Sequence, residues 1–335
     1  MEDILRKMPK VELHVHLEGS IRPETLLTLA KRNEVALPAS SVEELRKWYR
    51  FTDFRHFVDV YVASTKCIRT EDDVELIAYE FLRGQAEQNV LHSEVTFTIE
   101  TVQRYCGIPW ERQLLAVQRA ADRAREEHGV TMELILDIVR ELPPEVGEKV
   151  VDWAIAWKDR GVCAVGLSGD ERKASPEVHA NAFRRAREAG MPIATHAGET
   201  SGPESIWSCL DDLGANRIGH GVRCLEDDAL VERLLADQTP LEVCPTSNVK
   251  LCVADSIEDH PIQAMITRGL NVSVNSDDPP IFDTTLTNEW IECGKAFDWN
   301  REQVQKLSFA ALDASFCSEG RRSEIKAAFR DFWNS

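Results

Sequence analysis

Two histidines one residue apart, His14 and His16, sit inside the apolar run Val11-Glu12-Leu13-His14-Val15-His16-Leu17. Successive side chains of a strand point to opposite faces, so the two imidazoles share a face, and Glu18 continues their parity before Gly19 ends the run. Two imidazoles side by side on a rigid strand are half of a metal site; taken alone, they are equally two polar positions on a half-exposed strand. The other half lies further along the chain. Short apolar runs end in, or are followed by, Ser168-Gly169-Asp170-Glu171, His196-Ala197-Gly198-Glu199, Gly219-His220-Gly221, Cys244-Pro245-Thr246-Ser247-Asn248 and Asn275-Ser276-Asp277-Asp278-Pro279.

Three imidazoles and a carboxylate suit Zn2+, with one position left for water. The expected ligands of one zinc per chain are His14, His16, His196 and Asp277. Such a metal lowers the pKa of its water to roughly 7. His220 and Asp277 would orient that water and take its proton. Glu199, three residues beyond a ligand, would give a proton from the opposite side of a substrate. Asp278 would hold a substrate N–H or ring nitrogen, although Asp277-Asp278-Pro279 in isolation reads as a turn with a helix cap. His56, His92, His128, His179 and His260 fall in helices or loops or, for His92, early in a strand, and are expected to be structural.

The elements that must position these groups alternate. Strand-like runs at Val11–Leu17, Val90–Phe97, Thr131–Val139, Val162–Leu167, Met191–His196, Arg217–His220, Pro240–Cys244 and Leu270–Asn275 are separated by amphipathic helical stretches such as Asp73–Gln88 and Trp110–His128. This alternation means parallel strands with crossover helices. Eight such units predict an α/β fold, a single (β/α)8 TIM barrel over residues 1–335. Extra helices follow the first strand, and others from Leu286 close the chain. Phe54, Phe57, Val58 and Tyr61 form one stripe of an inserted helix, placed to be either core or a flap over the barrel mouth. Active sites of such barrels gather at the C-terminal strand ends, where four of the nine histidines fall.

Asp and Glu outnumber Lys and Arg by 57 to 39, a formal charge of −18, which argues against nucleic acid or anionic membranes as partners. No stretch approaches the ~20 apolar residues of a membrane helix, and the first residues do not read as a signal peptide. The nine cysteines contain no Cys-x-x-Cys, which removes zinc ribbons, thioredoxin-like pairs and the cytidine-deaminase type of zinc site. Cys163 and Cys244 lie in apolar runs as reduced core thiols, so a cytoplasmic location is expected. Association of identical chains stays open.

Together with Pro9-Lys10-Val11-Glu12-Leu13-His14-Val15-His16-Leu17-Glu18-Gly19-Ser20, these motifs resemble, in order and over nearly the whole chain, the adenosine deaminase family of metal-dependent amidohydrolases. The resemblance implies hydrolytic removal of the 6-amino group of a purine as ammonia. It implies the same four zinc ligands, Glu199 protonating ring N1, His220 beside the attacking oxygen, Asp278 at N7 and the Gly169 backbone at N3. His16 then serves both metal and substrate. Glu18 stands where a shorter Asp meets the ribose 5′-hydroxyl, and Gly219 where adenine deaminases tend to carry Asp. Ser247-Asn248-Val249-Lys250-Leu251 instead resembles the adenine branch. The substrate expected on these grounds is adenosine or a 5′-modified adenosine, with aminodeoxyfutalosine (of menaquinone biosynthesis) and adenine as alternatives. Other amidohydrolase reactions with two metals need a bridging lysine, and Gly166-Leu167-Ser168-Gly169 has none. A catalytically dead binder would have lost a ligand or Glu199, and none is lost.

Overall fold

The computed structural model describes residues 1–334. Eight parallel strands pair in chain order: β1 (Lys10–His16), β2 (Val90–Phe97), β3 (Thr131–Val139), β4 (Val162–Ser168), β5 (Ile193–Ala197), β6 (Arg217–His220), β7 (Leu241–Val243) and β8 (Val272–Val274). Closure is made at one residue beyond β8. Asp277 bridges Val15 in parallel, with His16 N–H donating to Asp277 O at 2.9 Å and Asp277 N–H to His14 O at 3.1 Å. The Asn275 side chain stitches the same seam by accepting from the Leu13 and His14 amides at 2.9 and 3.2 Å. The result is the (β/α)8 barrel expected from the alternation.

Alternate residues of β1 divide between two environments. Val11 and Val15 join the apolar core that runs from Leu5 to Trp333 between the strands and the surrounding helices. Glu12, His14 and His16, of the opposite parity, are buried polar groups. Glu94 on β2 and Glu242 on β7 flank a fully buried Arg217 on β6, each accepting a guanidinium N–H at 2.5 Å. That guanidinium also donates to Ala314 O at 3.1 Å and lies 3.8 Å over the Phe316 ring. A charge held this dry stays only because each group has its counter-charge and hydrogen bonds.

The insertion after β1 folds as helices Pro23–Arg32, Val42–Trp48 and Phe54–Thr65. Ser41 and Asp53 cap the last two by accepting the Glu44 and His56 amides. Phe54, Phe57, Val58 and Tyr61 line the cavity at the barrel mouth, so their stripe is a flap and not buried core. Strands β5, β7 and β8 are shorter than their apolar runs, because those runs begin or end in coil: Pro192 and Pro240 lack the N–H a ladder needs. Helix Ile99–Cys106, directly after β2, is not apparent in the sequence pattern; it is closed by Gly107 in the left-handed region at φ 74°. The helix that begins at Pro203 after β5 widens at Cys209–Leu213 to a looser turn.

Arg217→Met removes the one cation between Glu94 and Glu242. It is expected to destabilise the fold by about 3–5 kcal/mol, read from the urea midpoint. An unchanged midpoint would mean that this buried triad contributes no net stability.

Candidate metal centre and active site

Side chains from β1, β5 and the β8 end converge on one point. His16 Nε2 lies 3.1 Å from His196 Nε2 and 3.2 Å from Asp277 Oδ1. His14 Nε2 lies 3.5 Å from Asp277 Oδ1. One ligand atom from each of these four residues lies within 4.8 Å of every other. Two of the imidazoles have their tautomers dictated from outside. His14 Nδ1 is held at 2.9 Å by the Glu242 carboxylate, and His196 Nδ1 at 3.0 Å by Leu167 O. Both partners only accept, so both Nδ1 atoms donate and both Nε2 atoms turn a bare lone pair inward. His14 Nε2 is buried with no hydrogen-bond partner. Burial opposes charge on His14, yet Asp277 and Glu242 raise its pKa to about 10. Without a metal a proton therefore occupies Nε2, where a cation would otherwise receive the lone pair, and the donor set of three imidazoles and a carboxylate fits a divalent cation.

Backbone strain and small residues serve the same arrangement. His220 and Asp277 hold φ near 60° and 64°, a left-handed conformation that non-glycine residues adopt at a cost. Ser247 Oγ–H donates to Asp277 Oδ2 at 2.6 Å. A Cβ on Gly219 would sit 2.7 Å from His14 Cε1, so on this backbone a side chain there requires His14 to shift. A Cβ on Gly19 would overlap Asp278 Oδ1 at 1.6 Å. The absence of a side chain at 219 is thus explained by His14, and is not a sign of room left for a substrate.

A cavity of about 280 Å³ opens onto these groups, with His16, His196, Glu199, His220, Asp277 and Asp278 on its wall. Ser168, Gly169, Phe57 and Tyr61 line it as well. Glu199 is buried, its Oε1 has no partner, and burial with Asp277 nearby holds its pKa well above the usual carboxylate range. Asp278 shares that state for the same two causes, burial first, and its Oδ1 is also unpartnered. His220 Nε2 lies 3.7 Å from Glu199 Oε1 and 4.0 Å from Asp277 Oδ2.

Glu18 departs from the expectation. The chain leaves β1 into a helical turn at Leu17, which breaks the strand parity. The Glu18 carboxylate is buried and accepts the Thr98 amide at 3.0 Å, and it does not line the cavity. Two other residues matter and were not singled out by type and spacing. Glu171 accepts the amides of Gly198, Glu199 and Thr200 at 2.8, 2.9 and 2.8 Å, fixing the loop that carries Glu199. Glu242 orients His14; a lone acid between Leu241 and Val243 was its only signal. A second grouping, His14, His220, Cys244 and Asp277, would require a thiolate, and burial raises the Cys244 pKa well above the ordinary thiol range. At the other end of the barrel His92, Glu94 and Glu133 approach one another, but Glu94 is already engaged by Arg217.

A family model described as adenosine deaminase matches residues 9–331. The chain belongs to the adenosine deaminase family. This family membership makes it a hydrolytic purine deaminase acting on C–N bonds. It is 38% identical to the adenine deaminase of Acinetobacter baylyi over 95% of each chain. The crystal structure of adenine deaminase from Arthrobacter aurescens superposes with a TM-score of 0.93 at 33% identity, covering 98% of this chain and 100% of that one. A zinc-bound amidohydrolase from Burkholderia ambifaria superposes with a TM-score of 0.92 at 25% identity, over 99% and 92% of the two chains. Among the described residues no helix is long and apolar enough to cross a membrane, and all nine cysteines are free thiols.

Gly219→Ala pushes a methyl group into His14. It is expected to weaken binding of a divalent metal about 10–100-fold, measured by competition with a chelator, as disturbance of a ligand's support does elsewhere. Undiminished affinity would show that His14 is not held where a metal needs it.

Proposed function

We propose that this chain is a zinc-dependent adenine aminohydrolase, converting adenine and water to hypoxanthine and ammonia in one catalytic domain. The deaminase chemistry is carried by the convergence of His14, His16, His196 and Asp277 beside Glu199, His220 and Asp278 in one cavity. The choice of adenine is supported by the adenine deaminases that the chain resembles over nearly its full length. It departs from the nucleoside expected from the motifs. Two grounds for that expectation are weakened: Glu18 accepts the Thr98 amide and is not among the residues that line the cavity, and Gly219 answers to His14.

The roles follow from the protonation each environment favours. His14, His16, His196 and Asp277 would hold a zinc ion, which when bound would supply an activated water. Burial keeps a proton on Glu199, and this carboxyl donates it to ring N1, drawing electrons from C6. Asp278, kept protonated by burial and by Asp277, donates to ring N7. Gly169 brings the backbone to the ring edge near N3, and His220 faces the oxygen that adds to C6. Loss of the amino group as ammonia then restores the ring.

One observation favours a second reading. The cavity continues past the polar groups to Phe54, Val58, Arg104 and Tyr105, leaving space for a purine extended at N9, as in a 5′-modified adenosine. Ranking adenine, adenosine and 5′-extended adenosines by kcat/KM decides between them, since that ratio reports differential transition-state binding. Adenine is expected first; a nucleoside ahead of it would overturn the choice. Glu199→Gln is expected to keep its metal and lose ~10²–10⁴-fold in kcat, because an amide cannot deliver the proton. Near-normal turnover in the metal-loaded variant would remove Glu199 from its role.

A further inference from the structure

We propose that His260 and Asn248 are positioning residues that fix the proton of His220 on Nε2, so that His220 presents an N–H to the attacking oxygen. This rests on the deaminase function for its consequence, but not for its geometry. The chain of assignment begins at a donor whose identity is not open. The backbone N–H of Ile262 donates to His260 Nδ1 at 3.1 Å. An amide N–H is only a donor, so Nδ1 is a bare acceptor and the imidazole carries its proton on Nε2. Burial lowers the His260 pKa to about 4, in keeping with a neutral ring.

His260 Nε2–H faces the Asn248 amide at 3.1 Å, and the atom it meets must be the oxygen. This settles which way the amide points, independently of how its two ends were first placed. Asn248 is itself anchored: its backbone oxygen accepts from Val253 at 2.7 Å and from Ala254 at 3.1 Å. The Nδ2 end of the amide is thereby turned to His220 Nδ1, 3.2 Å away. An amide NH2 only donates, so His220 Nδ1 accepts and the His220 proton sits on Nε2. His220, Asn248 and His260 are all buried, which leaves little water to compete for these bonds.

The consequence corrects one expected role. With a proton already on Nε2, neutral His220 cannot take another there from the attacking water. It donates a hydrogen bond to that oxygen as negative charge builds on it, a task that a preorganised donor performs well in a dry site. Removal of the water's proton is left to a carboxylate: of the two that approach His220 Nε2, Glu199 at 3.7 Å is the proton donor of the proposed reaction, which leaves Asp277 at 4.0 Å.

Histidine-selective ¹⁵N labelling of the zinc-loaded enzyme reads the tautomers directly, with or without turnover. His220 and His260 are both expected as the neutral Nε2–H form. Asn248→Asp offers only acceptors, and is expected to switch His220 to the Nδ1–H form. Its metal content should not change, and kcat should fall roughly 10²–10⁴-fold with KM little altered, the scale seen when a catalytic histidine holds the wrong tautomer. His260→Gln can still donate to the Asn248 oxygen and should retain most of the turnover that His260→Leu loses. A wild-type His220 found as Nδ1–H or as imidazolium overturns the proposal. So does an Asn248→Asp variant with an unchanged tautomer, or a His260→Leu variant with full turnover. If no purine is deaminated at all, the deaminase reading fails while the tautomer measurement still decides the relay.

Discussion

A bare imidazole nitrogen cannot rest against a carboxylate in a dry interior unless a positive charge lies between them. The barrel is built around that constraint at the seam where β8 meets β1. Glu242 and Leu167 each claim the Nδ1 proton of a histidine, so His14 and His196 direct lone pairs toward Asp277. The same Asp277 carries the backbone bridge that closes the barrel. Closure of the fold and assembly of the site therefore depend on the same residue.

From that point the electrostatics run down the interior. Glu242 is shared between His14 and Arg217, and Arg217 reaches on to Glu94. Each group is stable in its buried place because of the next one, so the metal-binding end is coupled to the base of the barrel through charge, not only through packing. The carboxyls that face the cavity are treated oppositely. Glu199 and Asp278 have no cation bonded to them and are pushed toward their neutral forms. The groups proposed to hold a metal and those proposed to give a proton are separated by what each is bonded to, although all lie at the same strand ends.

Much of this was legible in the sequence. Strand parity placed His14 and His16 on one face, and the alternation of strands and helices placed His196, His220 and Asp277 at the same end of one barrel. Glu18 escaped the reading because parity holds only while the strand does, and the chain turns helical at Leu17. Gly219 was given a meaning about substrate that belongs to its neighbour, His14, since a sequence does not say which side chain fills a gap. Glu171 and Glu242 act on partners 27 and 228 residues away. Glu171 was marked by its motif and Glu242 by nothing but its type, and the role of each is set by partners that only the closed barrel brings near.

The central claim is that one cation, held by His14, His16, His196 and Asp277, makes this barrel a deaminase. It is tested most directly by stripping the protein of metal and returning zinc in measured increments, while following adenine by its ultraviolet absorbance. The account predicts no turnover at the start, a linear rise, and a sharp plateau at one zinc per chain. Turnover in the metal-free protein, or a plateau only at two, would contradict it.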